Sequence, residues 1–188
     1  MLIAGVDEVG RGPLAGPVVT AAVILPDSYD LPGLTDSKKL TAKRRQVLDV
    51  EIKRQAICWA YGEASIDEID QINILQASLL AMQRAVSKLT IKPEKVLVDG
   101  NRSPDFGIPS VAIIGGDGIE DCISAASIIA KVSRDKLMSD YSLDYPEYGW
   151  QNNSGYPTKQ HLDALTQYGI TPHHRRSFAP VAKLLPAL

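Results

Sequence analysis

Four carboxylates placed at the ends of apolar runs are the residues best suited to chemistry. Asp7 and Glu8 close the run Leu2 to Val6, Asp99 closes Lys95 to Val98, and Asp117 follows Ser110 to Ile114, so three separate segments deliver acids to strand ends. Carboxyl ends of strands in open α/β sheets are where ligands bind. Carboxylates gathered there repel one another and are costly unless a cation shares them. Oxygen donors without cysteine or clustered histidine favour Mg²⁺ or Mn²⁺ over zinc, and a pair of such ions suits in-line displacement at phosphorus. Taken singly, each acid also fits a turn or cap. Asp7 and Glu8 would face opposite sides of a regular strand, so both join one site only if the strand ends or bulges there, which Gly10 permits.

The basic residues are unevenly spread. The net charge is −2, which offers no global attraction for a polyanion. Seven bases (Lys38, Lys39, Lys43, Arg44, Arg45, Lys53, Arg54) nevertheless stand against two acids between positions 38 and 54, and no acid follows Asp163 while Arg175, Arg176 and Lys183 do. Such stretches form either a polyanion-facing surface or solvated helix faces. His173 and His174, adjacent on a basic segment, fit a surface or phosphate-facing place better than a metal site. No Ser/His/Asp arrangement or phosphate-cradling P-loop occurs, so covalent catalysis is not expected.

The elements that must position these groups alternate. Leu2 to Val6 and the β-branched run Val18 to Leu25 predict buried strands joined through the turn Gly10-Arg11-Gly12-Pro13. Thr41 caps a helix from Ala42 to about Gln55, with Val47, Leu48 and Ile52 on its apolar face. Ile57 to Gly62 predicts a further strand. Ser65 and Glu68 have capping-box spacing, and a second helix is expected from about Ile74 to Leu89. After the strands Lys95–Val98 and Ser110–Ile114, helical patterning runs from Glu120 to about Met138, with Ser124, Ala125, Ala126 and Ala130 allowing close packing. Thr158 to Tyr168 is the last clear helix.

An α/β domain with a central mixed sheet flanked by helices follows, with no repeat or linker to divide residues 1–188 and a mostly helical extension from about residue 140. The 188 residues are 45% hydrophobic and 22% charged, which excludes disorder and small disulfide scaffolds. No apolar run approaches the roughly 20 residues that span a bilayer, and no export signal is seen. Cys58 and Cys122 do not make a disulfide framework or a four-ligand zinc site, and both are expected to be buried, reduced thiols of a cytoplasmic protein.

The run Gly5-Val6-Asp7-Glu8-Val9-Gly10-Arg11-Gly12-Pro13-Leu14-Ala15-Gly16 resembles the opening signature of ribonuclease HII, the bacterial type 2 ribonuclease H. Asp36-Ser37-Lys38-Lys39-Leu40, Val98-Asp99-Gly100-Asn101, Gly116-Asp117, Ser124 to Val132 with Arg134-Asp135, Gly155-Tyr156-Pro157-Thr158 and His173 to Phe178 resemble the later motifs, in family order. The resemblance implies a ribonuclease H-like fold and an endonuclease that hydrolyses the RNA strand of RNA–DNA hybrids. It also implies cutting 5′ of ribonucleotides embedded in duplex DNA, giving 3′-hydroxyl and 5′-phosphate ends, with places in ribonucleotide excision repair and DNA replication.

Carried over by position, the resemblance assigns Asp7, Glu8, Asp99 and Asp117 as catalytic ligands for Mn²⁺ or Mg²⁺, with two ions expected. Gly115 departs from the lysine that more often precedes the family's Gly-Asp pair, and Asp135 competes for the fourth place. Asp117 is preferred because Asp135 falls mid-helix beside Arg134. Gly10, Arg11 and Gly12 become the sensor of the ribose 2′-hydroxyl, through close backbone approach. Tyr156 becomes a ring stacked near the RNA–DNA junction, a lid on the core being the alternative. Ser37, Lys38 and Lys39 are assigned to backbone phosphates, with one or more of Arg44, Arg45, Arg175 and Arg176. A junction resolvase on the same scaffold and a non-catalytic hybrid-binding module remain open at this point. A monomer is expected. Pro180 to Leu188 is expected to pack as a helix, a docking tail being the alternative, and nothing in the sequence supports association with a replication clamp.

Overall fold

The computed structural model describes residues 1–186. Five strands form one mixed sheet: β1 (Ile3–Val9), β2 (Val18–Ile24), β3 (Cys58–Ala64), β4 (Lys95–Asp99) and β5 (Ser110–Ile113), in the order β3-β2-β1-β4-β5. The β1–β2 and β2–β3 pairs are antiparallel, whereas β1–β4 and β4–β5 are parallel. Every residue of β2 is buried, as its β-branched and small side chains require of a strand covered on both faces. β3 alternates buried with exposed residues at the sheet edge.

Helices α1 (Ala42–Gln55) and α3 (Asp121–Asp144) cover one face, with Leu48, Ile52, Ile128 and Ile129 packed on Ala21 and Val23. Helix α2 (Ile66–Ser87) covers the other, with Met82, Ala85 and Val86 against Val6, Ala22 and Val98. Each of the larger side chains contributes about 1.5–3 kcal/mol on burial. That reserve holds the sheet's end together against the repulsion of the acids described below. Gly5 allows α3 to begin directly on β1, since a Cβ there would lie 2.1 Å from the Cys122 carbonyl carbon.

Several boundaries differ from the sequence expectation for local reasons. The Ser65–Glu68 capping box is formed and opens α2, and the helix expected from Ile74 is its second limb. Asn73 separates the limbs with φ 69°, its side chain accepting a hydrogen bond from the Gln76 amide as a cap within the kink. Helix α3 runs beyond Met138 to Asp144. Val47 is 47% exposed, not packed, because it lies about 100° around α1 from Leu48 and outside the stripe of Leu48, Asp49 and Ile52. Cys58 is buried, but Cys122 is only partly so.

Three short helices complete the described chain: α4 (Trp150–Asn153), α5 (Lys159–Tyr168) and α6 (Ala179–Ala182). They pack with the end of α3 through Leu14, Met138, Tyr148, Trp150, Leu165 and Val181. Residues 180–186 thus include a helical turn on the domain. The last two positions of the apolar end, 187 and 188, lie outside the described residues. No helix among the described residues is long and apolar enough to cross a membrane.

His174 corrects the expectation of a surface histidine, because its ring is buried at 1% exposure. Its Nδ1 accepts from the Thr171 amide at 3.0 Å, and its Nε2 lies 3.1 Å from Nε2 of His161. Trp150 Nε1 donates to the same His161 nitrogen at 3.1 Å, while His161 Nδ1 meets the Tyr156 carbonyl at 2.9 Å. The network is complete only when both rings are neutral, with His174 Nε2–H donating to His161. Burial, then the neighbouring histidines, push His174 down to about 3.

A basic group with a lowered folded-state pKa binds its proton more readily in the unfolded chain. Its stabilising contribution is therefore full above the unfolded value near 6.5 and is lost as pH falls toward 3. Between pH 7 and pH 5 the protein should lose about 2 kcal/mol from this ring. Chemical denaturation at the two pH values checks this, and a slope left unchanged by His174→Asn would place the proton uptake elsewhere.

Candidate active site

Asp7, Asp99 and Asp117 meet at the end of the sheet, each offering a carboxylate oxygen within 4.8 Å of the others. The parallel register of β1 with β4 brings this about. Val6 pairs with Val98 in the last rung, so the next residue of each strand, Asp7 and Asp99, leaves the ladder at the same level. Asp117 arrives on the tight helical turn Gly116–Gly118 after β5, and its amide donates to Asp99 Oδ1 at 3.2 Å. Ser124 of α3 pins the turn by donating to the Asp117 carbonyl at 2.7 Å.

The cluster is held against its own charge. Burial, then the charges of Glu8 and Asp99, push the Asp7 carboxyl well above the usual carboxylate range, and the Ser127 hydroxyl only partly offsets this. Burial also raises Asp99, with the Asp117 amide pulling the other way.

Glu8 takes a different position. The strand neither ends nor bulges at Asp7–Glu8: β1 continues to Val9, with Asp7 opposite Ala21 and Glu8 opposite Thr20. Regular alternation turns the Glu8 side chain away from that of Asp7, yet at the strand's end it stays near enough for its charge to raise Asp7 and to feel that of Asp99. It stands outside the group of three, with Arg11 Nη1 3.6 Å from its Oε1. Burial raises its pKa and Arg11 lowers it, the former prevailing. Its Oε2 is buried without a hydrogen-bond partner. Three converging carboxylates and an orphaned oxygen beside them form an all-oxygen donor set, which fits a hard divalent cation and not a thiolate or imidazole metal.

The turn Asp36 to Leu40 brings lysines to the rim. Lys38 Nζ lies 3.1 Å from Asp117 Oδ2 and 3.8 Å from Asp36 Oδ1, with most of its side chain in solvent. Partial burial lowers its pKa, but the hydrogen bond to Asp117 outweighs this and the group stays charged. Lys39 is exposed, its ammonium near Gly118. Ser37 differs from the expectation of a phosphate contact. It is buried, and its hydroxyl shares a hydrogen bond with Ser127 Oγ at 2.9 Å, bracing the turn from beneath.

Beyond β1 the chain turns sharply at Gly10, whose φ of +96° suits glycine. Arg11 and Gly12 are exposed. Tyr156, 39% exposed, presents its ring edge to Gly12, where a Cβ would stand 3.4 Å from Cε1. The turn and the ring are therefore one surface. Asp135 does not join the acids: it accepts from Lys131 at 2.7 Å and from Ser154 Oγ at 2.9 Å.

Other bases expected at phosphates are occupied within the fold. Arg175 is fully buried and donates to the carbonyls of Gly10, Arg11 and Gly16, so it cannot reach a ligand's phosphate. Arg45 donates to the Ser37 and Leu40 carbonyls, and Arg44 to that of Pro32. Arg176 remains exposed.

Sequence reasoning did not place Arg134, Arg175 and His161 beneath this surface, where they shape it. One signal was present. Arg134 falls in a helical stripe with Ile123, Ser127, Ala130 and Met138, all buried, which marks it as an interior arginine.

Comparison with known proteins agrees with this geometry. Residues 4–181 match the family model for ribonuclease HII. Ribonuclease HII of Shewanella halifaxensis is 60% identical over 182 residues, 97% of this chain and 90% of the relative. Among solved structures, ribonuclease H2 from Pyrococcus horikoshii OT3 superposes with a TM-score of 0.80 at 29% identity, covering 98% of this chain and 97% of that one. Ribonuclease HII of Archaeoglobus fulgidus, solved in complex with PCNA, gives 0.75 at 26% identity, covering 93% and 94%. With its mixed sheet and converging acids, the chain belongs to the ribonuclease HII family and is a ribonuclease H endonuclease.

Proposed function

We propose that the enzyme hydrolyses the RNA strand of RNA–DNA hybrids and cuts duplex DNA on the 5′ side of an embedded ribonucleotide, leaving 3′-hydroxyl and 5′-phosphate ends. The observation that carries this reading is the convergence of Asp7, Asp99 and Asp117, with β1 leading from Asp7 directly into the Gly10–Gly12 turn that borders Tyr156. The family depends on a divalent metal. Here Asp7, Asp99 and Asp117, with Glu8 completing the set through its unpartnered oxygen, would hold Mn²⁺ or Mg²⁺, two ions being expected. Such ions, when bound, neutralise charge on the attacking and leaving oxygens of an in-line displacement.

The protein's own groups supply position. Gly10, Arg11 and Gly12 let the backbone approach the ribose and read its 2′-hydroxyl, the group that separates RNA from DNA. Tyr156 offers a ring face to the adjacent nucleotide, and Lys38 and Lys39 meet backbone phosphates at the rim of the acid cluster. Cleavage mapping of duplexes with one ribonucleotide, four ribonucleotides, a full RNA strand or none, in Mg²⁺ and in Mn²⁺, tests the reading. Cutting of the all-DNA duplex at a comparable rate would sink it in favour of a nuclease blind to the 2′-hydroxyl.

Neutralising Lys38 and Lys39 together should weaken binding about equally for every substrate sequence. It should also flatten the dependence of log affinity on log salt by about 1 for each phosphate that no longer has a lysine beside it. Fluorescence anisotropy across a salt series reads this directly. An unchanged slope would show that neither lysine meets a phosphate.

A further inference from the structure

Arg134 and Arg175 are fully buried cations without a carboxylate in ion-pair range among the described residues. Between them they donate to six backbone carbonyls. Arg134 reaches Pro17 at 2.9 Å, Ala15 at 2.9 Å and Ser154 at 2.8 Å. Arg175 reaches Gly16 at 2.8 Å, Arg11 at 3.0 Å and Gly10 at 2.6 Å. Burial pushes the two guanidiniums down to about 10 and about 9, the second lowered further by the first. An apolar side chain would fill this volume without that electrostatic cost. A planar fork of fixed donors does something it cannot, which is to set the direction of several peptide groups at once.

Direction matters here because a trans peptide unit is rigid, with C=O and the following N–H pointing opposite ways. Turning the Gly10 and Arg11 carbonyls inward onto Arg175 turns the amides of Arg11 and Gly12 outward. Neither amide donates to a backbone acceptor among the described residues. Arg134 packs against the same turn and holds the peptide preceding Gly155 and Tyr156: its Nη1 donates to the Ser154 carbonyl, and Gly10 passes so close that a Cβ would fall 2.1 Å from its Nε. The Leu14 amide adds a bond to the Gly155 carbonyl at 2.8 Å.

We propose that Arg134 and Arg175 are positioning residues for ribonucleotide selectivity: Arg175 aims the Arg11 and Gly12 amides at the substrate, and Arg134 sets the spacing between Gly12 and the Tyr156 ring. This rests on the reading of Gly10–Gly12 and Tyr156 as the ribonucleotide surface.

The test compares Arg134→Lys and Arg175→Lys with the wild-type enzyme. Each keeps a positive charge but replaces the planar fork. For each, KM is measured on a duplex carrying one ribonucleotide, and Ki for the all-DNA duplex of the same sequence as competitor. The ratio Ki/KM should fall at least fivefold, while Ki and the rise in Tm on adding Mn²⁺ stay near wild type. A folded variant that keeps the wild-type ratio, or loses activity only in step with its Tm, makes the arginines scaffold and overturns the proposal.

Should both variants fail to fold, the wild-type protein decides. The Nε–H resonances of Arg134 and Arg175 should shift on adding the ribonucleotide duplex and stay still with the all-DNA duplex, and equal response to both overturns the proposal. Gly12→Ala and Tyr156→Ala distinguish the two levels. If these also leave Ki/KM unchanged, the reading of the surface falls and the proposal with it. If they lower the ratio while the lysine variants do not, only the role of the arginines is refuted.

Discussion

Replacing Asp7 or Asp99 by asparagine is expected to abolish turnover, by at least on the order of 10²–10³-fold, while the protein stays folded. Either change removes a charge from the three-carboxylate cluster with almost no change in shape. The effect on stability has a definite sign. A carboxyl whose folded-state pKa is raised contributes stability that is present below the unfolded value and lost as pH rises through the folded one. Because burial, then Glu8 and Asp99, raise Asp7, its charge destabilises the metal-free enzyme at neutral pH.

In chelator at pH 7, Asp7→Asn should therefore melt at or above the wild-type temperature. Addition of Mn²⁺ or Mg²⁺ should raise the wild-type Tm and do much less for the variant. Differential scanning calorimetry with and without metal, beside a cleavage assay in saturating Mg²⁺ and Mn²⁺, checks both halves. A folded asparagine variant with near wild-type cleavage would remove the cluster from the reaction.

Tyr156→Ala is expected to lose on the order of 1–3 kcal/mol of transition-state stabilisation on a single-ribonucleotide duplex, roughly a 5- to 150-fold fall in kcat/KM. The ring is 39% exposed and borders Gly12, so its removal uncovers little core and the melting temperature should move only slightly. Tyr156→Phe keeps the stacking face and should lose much less. The loss should be greatest at RNA–DNA junctions, where one nucleotide must be placed, and smaller on a continuous hybrid. An equal loss on both substrates, together with a lowered Tm, would instead make Tyr156 a packing residue.

Much of this protein was legible in its residue order because the signals involved are local. A cap acts within one helical turn, so Thr41 and Ser65 mark the starts of α1 and α2 correctly. The interruption of α2 was visible as two separate helical patterns, which Asn73 joins through a single positive φ. Strand periodicity likewise located β1, β2, β4 and β5 to within a few residues. The gathering of acids at strand ends was also readable, since each follows its own apolar run.

Which oxygens actually meet was decided only by tertiary structure. Register across β1 and β4 puts Asp7 and Asp99 on one level, and unbroken pairing of β1 with β2 leaves Glu8 beside the three converging oxygens and not among them. Burial also reassigned the basic segment near the end of the chain. His174 and Arg175 look like surface groups beside Arg176, yet an isolated bridge between Ala15 and His174 brings them under the Gly10 turn. Partners such as Gly10 and Arg175, far apart in the chain, have no shared periodicity or spacing by which sequence could announce them. Only the folded path, which decides where each buried donor finds its carbonyl, could pair them.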